Sequence, residues 1–296
     1  ITTPVSFVAS TNCFLFEGAQ PVFVDTEPET YNIDVSKIEA AITPRTKLIL
    51  AVDVFGHPAD WDGLREIAER HNILLLEDSA EAIGARYKGR RAGSLGDAGV
   101  FAFYPNKQMT TGEGGVVVTD AAEMAQLIRS YRNQGRGEGS AWLHHERMGF
   151  NFRISDINCA LGISQMERLD ELLAMRAGVA ERYTERLSEI EHVHTPYISE
   201  DVVVSWFVYV VRLADHYGQS DRDRIQVDLR ERGVHNSNYF SPIHLQPYMQ
   251  SEYGFKPGDF PVTEQISART IALPFYNRLS EEDIDYIATQ LEAVLK

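Results

Sequence analysis

Residues 73–81 have the sequence ILLLEDSAE, in which an apolar run passes directly into two adjacent carboxylates. The apolar run predicts a strand covered on both faces, as in a parallel sheet. Asp78 follows this run at the carboxyl end of the strand, the edge where open α/β sheets bind ligands. A buried carboxylate is costly unless it meets a cation. The alternative is that Asp78 only caps a turn or a helix.

The sequence on both sides of this stretch alternates between β-rich runs and amphipathic segments. Helices are predicted over 34–41 and 60–71, each beginning at an aspartate. The alternation predicts an α/β fold, with a three-layer α/β/α large domain built on a mostly parallel sheet. The predicted strands of this domain are 21–24, 47–52, 73–76, 99–103 and 115–118.

The second half of the chain has a different pattern. One long helix is predicted over 155–191, with a bend at Gly162 or Gly178. A strand over 202–213 and helices over 221–232 and 280–295 follow it. We therefore predict a large domain over residues 1–178 and a smaller C-terminal α/β domain over 179–296.

Composition excludes several classes of protein. The chain has 296 residues, 44% of them hydrophobic, and a net charge of −15, which disfavours binding to nucleic acid or to an anionic membrane surface. No run of about 20 apolar residues predicts a membrane span, and no signal peptide is evident, so the cytoplasm is expected. Cys13 and Cys159 lie in apolar sequence, which favours buried thiols over a disulfide. No metal-binding motif is present.

Residues 100–115, VFAFYPNKQMTTGEGG, place Lys107 between two apolar strands. The other lysines of the chain lie in polar, turn-like or terminal sequence. A partly desolvated lysine is a nucleophilic amine, and the glycines that follow permit close approach of a ligand to the backbone. The alternative is a surface lysine in a hairpin loop. An aspartate and a lysine at neighbouring strand ends suit a Schiff base with pyridoxal phosphate, whose pyridine nitrogen needs a carboxylate.

The segments EDSAEAIGA and FAFYPNKQMTTGEGG resemble the DegT/DnrJ/EryC1/StrS sugar aminotransferases, of the aspartate aminotransferase fold type I. SFVASTN, PVFVD, NFRISDINCALG, SPIHLQPYM and DFPVTE are similar to further family segments, so the resemblance covers essentially the whole chain. It implies pyridoxal 5′-phosphate as cofactor and transfer of an amino group from L-glutamate to a nucleotide-linked keto sugar, in the biosynthesis of an O-antigen or another glycan. It also implies a homodimer with shared active sites.

The resemblance implies a role for individual residues around the cofactor. Lys107 would bind the cofactor covalently and later move the proton. Asp78 would pair with the pyridine nitrogen, and Phe7 would stack on the ring, unless Phe7 is an ordinary core residue. Glu81 occupies the position near the ring hydroxyl where the family usually has Gln or His.

Further roles concern the phosphate and the substrate. Asn151 would reach the phosphate of the neighbouring subunit's cofactor, with Arg153 close by, and His244 would lie near the substrate. A lone histidine is also often structural. The chain departs from the family at Ala102, where a phosphate-binding serine is usual, and at Gln134, where a histidine is common.

The family usually has one further α/β unit before the equivalent of Ile1, which holds a phosphate-binding Gly-Thr turn. Its absence here, together with Ala102, predicts a weakened phosphate site. A cluster of arginines in the sequence can supply cations for a diphosphate, although those in its first half also suit a solvated helix face. The arginines are Arg129, Arg132, Arg136, Arg147 and Arg153.

Other functions stay open on the sequence alone. Relatives with histidine in place of the lysine are dehydratases, so Lys107 favours transamination. A cyclitol or another keto compound can replace the sugar as acceptor. A non-catalytic, regulatory protein that binds pyridoxal phosphate, or an inactive fragment, is the alternative of a different class.

Overall fold

The computed structural model describes residues 1–139 and 141–295, and within them the chain forms ten strands and ten α-helices. The strands are β1 (Leu48–Val52), β2 (Leu74–Asp78), β3 (Arg86–Tyr87), β4 (Arg90–Arg91), β5 (Ala98–Ala102), β6 (Gly115–Val118), β7 (Val193–His194), β8 (Val202–Val203), β9 (Tyr209–Leu213) and β10 (Thr270–Leu273). The helices are α1 (Ala9–Leu15), α2 (Val35–Ala41), α3 (Trp61–His71), α4 (Ala122–Arg132), α5 (Asp156–Glu167), α6 (Leu169–Leu187), α7 (Gln219–Glu231), α8 (Pro247–Tyr253), α9 (Pro261–Ser267) and α10 (Glu281–Val294).

The central sheet has the order β1-β2-β5-β6. β1, β2 and β5 are parallel, and β6 is antiparallel to β5, so the sheet is mostly parallel, as predicted. In the register of the first pair, Val52 lies opposite Asp78. The carboxyl ends of β1 and β2 therefore meet at one edge of the sheet, and the residues that follow both strands are neighbours in space.

Alternate residues of β1 enter different cores, which shows that the sheet is covered on both faces. Ile49 and Ala51 pack with Trp61 and Leu64 of α3. Leu50 and Val52 pack on the opposite side, in a cluster that includes Ile266 of α9. The helix α3 begins at Asp60, whose carboxylate accepts the Gly63 N–H, and it buries the apolar face expected from its periodicity.

The second half of the chain forms a separate core from β7, β9 and β10 and the helices α6, α7 and α10. Val179 and Tyr183 of α6 are fully buried in it. The predicted long helix over 155–191 is wrong in one respect, because it breaks into α5 and α6 at Arg168 rather than bending at Gly162 or Gly178. Arg168 has a ψ of 7°, outside the helical range, and its N–H bonds to the carbonyl three residues back.

Two smaller expectations also need correction. The predicted strand over 21–24 is reduced to a single bridge between Thr2 and Phe23, and the predicted strand over 202–213 consists of β8 and β9 with an irregular segment between them. Cys13 and Cys159 are free, as predicted, but neither is buried, because Cys13 is exposed and Cys159 is half-buried. The division of the chain at residues 178 and 179 stays a prediction. Across residues 1–139 and 141–295, no helix has the length and apolar character needed to cross a membrane.

Candidate active site

Asp78 is the last residue of β2, at the carboxyl edge of the sheet. Its Oδ2 accepts a hydrogen bond of 2.6 Å from the Ser10 hydroxyl of α1, and its Oδ1 accepts the Ala80 N–H. The side chain is half-buried, so it is neither a surface charge nor sealed inside the core. Asp78 therefore offers a carboxylate, fixed in place by two donors, to a ligand at the strand end.

Lys107 lies in the loop between β5 and β6 and reaches the turn that follows β2. Its Nζ is 3.3 Å from Glu81 Oε1, and the two side chains are 13% and 8% exposed. The Lys107 Nζ also lies 4.0 Å from the centroid of the Phe207 ring. The only lysine predicted to be reactive is thus held in a nearly closed setting, between a carboxylate and an aromatic face.

Glu81 links the elements that meet here. Its second carboxylate oxygen accepts the N–H of Phe55, from the loop after β1. Burial raises the pKa of Glu81, and the charge of Asp78 adds to this rise, whereas Lys107 and the Phe55 N–H oppose it. The site therefore contains two carboxylates that influence each other and one ammonium group between the strand ends.

Sequence reasoning did not find several residues that shape the site. Ser10, Phe55 and Phe207 contact Asp78, Glu81 and Lys107, respectively, from distant parts of the chain. Phe55 has a φ of 57°, unusual for a residue with a side chain. The buried amide of Gln108, next to Lys107, donates to the Glu81 and Ser205 carbonyls and so anchors the lysine loop.

Phe7 lies just before α1, the helix that carries Ser10, and its side chain is 62% exposed. It is not the core phenylalanine of the alternative interpretation. Ala102 ends β5, where it pairs with Gly115, and its methyl group has no atom that can donate to a phosphate. Phe7 and Ala102 lie at the carboxyl edge of the sheet or beside it. The stacking of Phe7 on the cofactor ring and the weakening of the phosphate site by Ala102 stay predictions.

Asn151 and Arg153 form no hydrogen bond or ion pair with Lys107 within the described part of the chain. The Arg153 guanidinium donates to the Asn151 and Asn133 side-chain carbonyls, and both residues are exposed. Arg153 lines a surface pocket that Glu123, Glu138 and Glu146 also line. The pocket brings together the arginines that cluster in the sequence: Arg129, Arg132, Arg136, Arg147 and Arg153.

His244 is fully buried, within the short 3₁₀ turn Ile243–Leu245. Its Nε2 lies 3.0 Å from Glu264 Oε1, and its ring packs against Phe260. Its Nδ1 has no hydrogen-bond partner among the described residues. In this chain His244 contacts neither Lys107 nor Asp78, so a position near the substrate stays a prediction.

Comparison with known proteins identifies the family of the chain. The sequence model of the DegT/DnrJ/EryC1/StrS aminotransferase family matches residues 1–292. The chain belongs to this family. It is 37% identical to the GDP-perosamine synthase of Caulobacter vibrioides, over all of this chain and 78% of that protein.

Solved structures of relatives have the same fold. Helicobacter pylori PseC, an aminotransferase involved in the biosynthesis of pseudoaminic acid, is 28% identical with a TM-score of 0.92, over 99% of this chain and 78% of that one. A Streptococcus pneumoniae protein solved in a form with pyridoxal phosphate is 27% identical with a TM-score of 0.93, over 99% and 79% of the two chains. The chain is therefore an aminotransferase that depends on pyridoxal phosphate, with the fold predicted above.

The residues at the carboxyl edge fit this cofactor in their chemistry. Pyridoxal phosphate requires an amine for its aldehyde and a carboxylate for its protonated ring nitrogen, and Lys107 and Asp78 supply one of each. Phe7 leaves an aromatic face open beside Ser10. The phosphate requires donors, which Ala102 does not supply.

The Lys107–Glu81 contact predicts a large coupling between the two side chains. We expect Glu81→Gln to destabilise the cofactor-free protein by about 3 kcal/mol, because it leaves a nearly buried ammonium without its carboxylate. The double variant Glu81→Gln/Lys107→Met should recover most of this loss, because no charge is left unpaired. Urea unfolding of the wild type, both single variants and the double variant measures the coupling. Additive effects of the two single changes would show that the contact is not an ion pair.

Proposed function

We propose that this enzyme transfers an amino group from L-glutamate to a keto sugar carried on a nucleotide, and that Lys107 holds the cofactor. The proposal depends above all on the nearly buried Lys107 amine, which contacts Glu81 beside Asp78 at the carboxyl edge of a parallel sheet. A sugar acceptor is supported by the relatives named for GDP-perosamine synthesis and for pseudoaminic acid biosynthesis. The proposal places the reaction in the cytoplasm, consistent with two free cysteines.

Three side chains divide the work at the cofactor. When bound, pyridoxal phosphate supplies an electron sink for negative charge that develops at the substrate carbon. Asp78, oriented by the Ser10 hydroxyl, keeps the ring nitrogen protonated so that the sink operates. Phe7 provides an apolar surface against which the ring stacks.

Lys107 has two tasks in this proposal. Its Nζ would hold the cofactor covalently, and its free amine would act as the base that takes the proton from the carbon of the amino donor. The Phe207 ring restricts where the amine can lie. Glu81 stabilises the ammonium form of Lys107 at 3.3 Å and, as a neutral acid, can donate to the ring hydroxyl.

The shared active site requires a second copy of the chain. The helix α5 buries none of its residues, although Ile157 and Ile163 are large and apolar, and Phe152 before it is 70% exposed. Apolar exposure on this scale marks an interaction surface. We propose that this surface joins two copies, and that Asn151 and Arg153 of each copy complete the cofactor site of the other.

The pocket of arginines suits the diphosphate of a nucleotide-linked substrate. Its five guanidinium groups outnumber the three carboxylates that also line it, Glu123, Glu138 and Glu146, so the pocket has an excess of positive charge on a chain with a net charge of −15. Arg153 and Arg147 are oriented by the Asn133 and Ser130 side chains, which leaves further N–H donors for an anion. Assays with candidate substrates can identify the amino donor, the nucleotide and the sugar directly.

Absorbance spectra test whether Lys107 holds the cofactor. The protein with added pyridoxal phosphate should show a visible absorbance band of lysine-bound cofactor, which glutamate should bleach as the amino group moves to the cofactor. Lys107→Ala should lose the band, whereas Lys88→Ala should keep it, because Lys88 is exposed and pairs with Asp62. Absorbance spectra before and after glutamate make the comparison. A band that glutamate does not bleach would indicate a non-catalytic protein that binds the cofactor, and no band in the wild type would refute the proposed site.

Mixed dimers test whether two copies of the chain share each active site. Lys107→Ala and Asn151→Ala should each inactivate the enzyme, but their separated mixed dimers should regain about half of wild-type activity, because each mixed dimer holds one intact site out of two. The matched control mixes Lys107→Ala with Asp78→Asn. Both of these changes lie in the same subunit's half of the site, so no activity should return. Activity after co-expression and separation of the mixed dimers is the measurement, and failure of the first mixture to recover would exclude a site completed by Asn151 of the partner.

A further inference from the structure

Two acidic side chains lie sealed beneath the candidate active site. Asp53 directly follows β1, and Glu77 is the residue before Asp78 in β2; both are fully buried. Neither forms an ion pair within the described parts of the chain. Two bare negative charges at this depth would cost several kcal/mol each, so another arrangement of protons must hold them there.

The Ser79 hydroxyl bridges the two carboxyl groups. Its Oγ lies 2.7 Å from Asp53 Oδ2 and 2.7 Å from Glu77 Oε1. A hydroxyl has one hydrogen to donate, so it can serve only one of these oxygens. The other contact, at the same hydrogen-bonding distance, needs a hydrogen that comes from a carboxyl group. One proton is therefore held by this pair of acids.

The hydrogen-bond partners identify which acid holds that proton. Glu77 accepts three backbone N–H groups, from Gly93, Leu95 and Gly96, and a carboxylate has both oxygens free to accept them. Asp53 Oδ1 accepts the Ala59 N–H and the Trp61 indole N–H. Among the four carboxyl oxygens, Asp53 Oδ2 alone has no N–H donor within the described residues.

We propose that Asp53 is a carboxylic acid, that it donates to Ser79, which in turn donates to the Glu77 carboxylate, and that this chain of hydrogen bonds is a positioning device for the active site. It joins the loop after β1 to the turn after β2. The same loop donates the Asp53 N–H to the Asp78 carbonyl and the Phe55 N–H to Glu81. The proposed role in positioning rests on the function proposed above for Asp78 and Glu81.

Among the described residues, the charged groups on the surrounding elements have partners of their own, and no cation contacts the pair. Arg65 of α3 is held by Asp97 and the Leu95 carbonyl, and Asp60 before α3 accepts the Tyr87 hydroxyl. His57, in the loop after β1, bonds to the Pro58 carbonyl, and its pKa is lowered by burial. Burial and the neighbouring Glu77 raise the pKa of Asp53 well above its usual range.

The raised pKa of Asp53 determines how the stability of the fold changes with pH. A carboxyl group that keeps its proton in the folded state but loses it on unfolding makes the fold less stable as pH rises, from the unfolded pKa of about 4 up to the folded pKa. Asp53→Asn cannot ionise. Its melting temperature should therefore rise relative to that of the wild type as pH increases through this window. Glu81 is present in both proteins, so its own titration cancels in the comparison.

The test uses two isosteric variants of the cofactor-free protein with opposite expected results. In Asp53→Asn the amide NH₂ replaces the acid O–H as donor to Ser79, and its oxygen still accepts from Ala59 and Trp61, so the variant should fold and bind pyridoxal phosphate as the wild type does. In Glu77→Gln an NH₂ group must face backbone N–H donors or the Ser79 O–H. We expect its melting temperature to fall by about 5 °C or more.

Infrared spectroscopy reports the proton directly. The wild type at neutral pH should show the C=O stretch of a buried carboxylic acid, which Asp53→Asn should lose. A tolerated Glu77→Gln beside a destabilised Asp53→Asn would place the proton on Glu77 and overturn the assignment. Equal losses in both variants, with no acid band, would overturn the shared proton. These readouts need no cofactor, so they stand apart from the proposed function.

A separate readout tests positioning. Cofactor affinity should weaken in the wild type as pH rises through the ionisation of Asp53, and this weakening should be absent in Asp53→Asn. A pH dependence of affinity that is the same in both proteins would show that the pair is structural and does not position the site. If neither protein binds the cofactor, the proposed function fails while the infrared result keeps its meaning.

Discussion

The parallel pairing of β1 with β2 is the constraint on which the site depends. Its register sets Val52 beside Asp78, so the loop after one strand and the turn after the other are forced together at one edge. The Asp53 N–H and the Phe55 N–H cross from the first segment to the second, and Lys107 reaches the second from its own loop. A shift of one residue in this register would reverse the faces of the side chains and would separate Glu81 from the Phe55 N–H.

The energetic problem at this edge is an excess of acid. Asp53, Glu77, Asp78 and Glu81 lie within two short segments, and Lys107 is the one cation that contacts them among the described residues. Different groups compensate these acidic side chains at different depths below the surface. Backbone N–H groups and a shared proton satisfy the deepest pair, the Ser10 hydroxyl orients Asp78, and the ammonium of Lys107 offsets Glu81. In the proposed function, the outermost carboxylate, Asp78, pairs with the ring nitrogen of the cofactor.

The mostly parallel sheet, the helix α3 and the approach of Lys107 to the acidic turn were predictable from the sequence. Hydrophobic periodicity and the order of segments along the chain can both be read directly from it. It did not reveal Ser10, Phe55 or Phe207, since their contacts join segments far apart in the chain and no local pattern marks them. The sequence did not predict the break between α5 and α6 at Arg168, because neither glycine nor proline occupies that position. The short bridge at Phe23 was mistaken for a strand because its apolar run packs against Phe255 and Phe260 instead of a sheet. The proposed roles of Asn151, Arg153 and His244 involve contacts with a ligand or with a second copy, and no pattern within one chain encodes such contacts.

The central claim is that Lys107 binds the cofactor covalently. Incubation of the protein with pyridoxal phosphate, reduction with borohydride and mass spectrometry of the resulting peptides identifies the modified lysine without any assumption about the sugar substrate. We expect one phosphopyridoxyl group per chain, on the peptide that contains Lys107, and its loss when glutamate is added before the reduction. A label on Lys47 or Lys88 in place of Lys107, or a label that glutamate leaves unchanged, would contradict it.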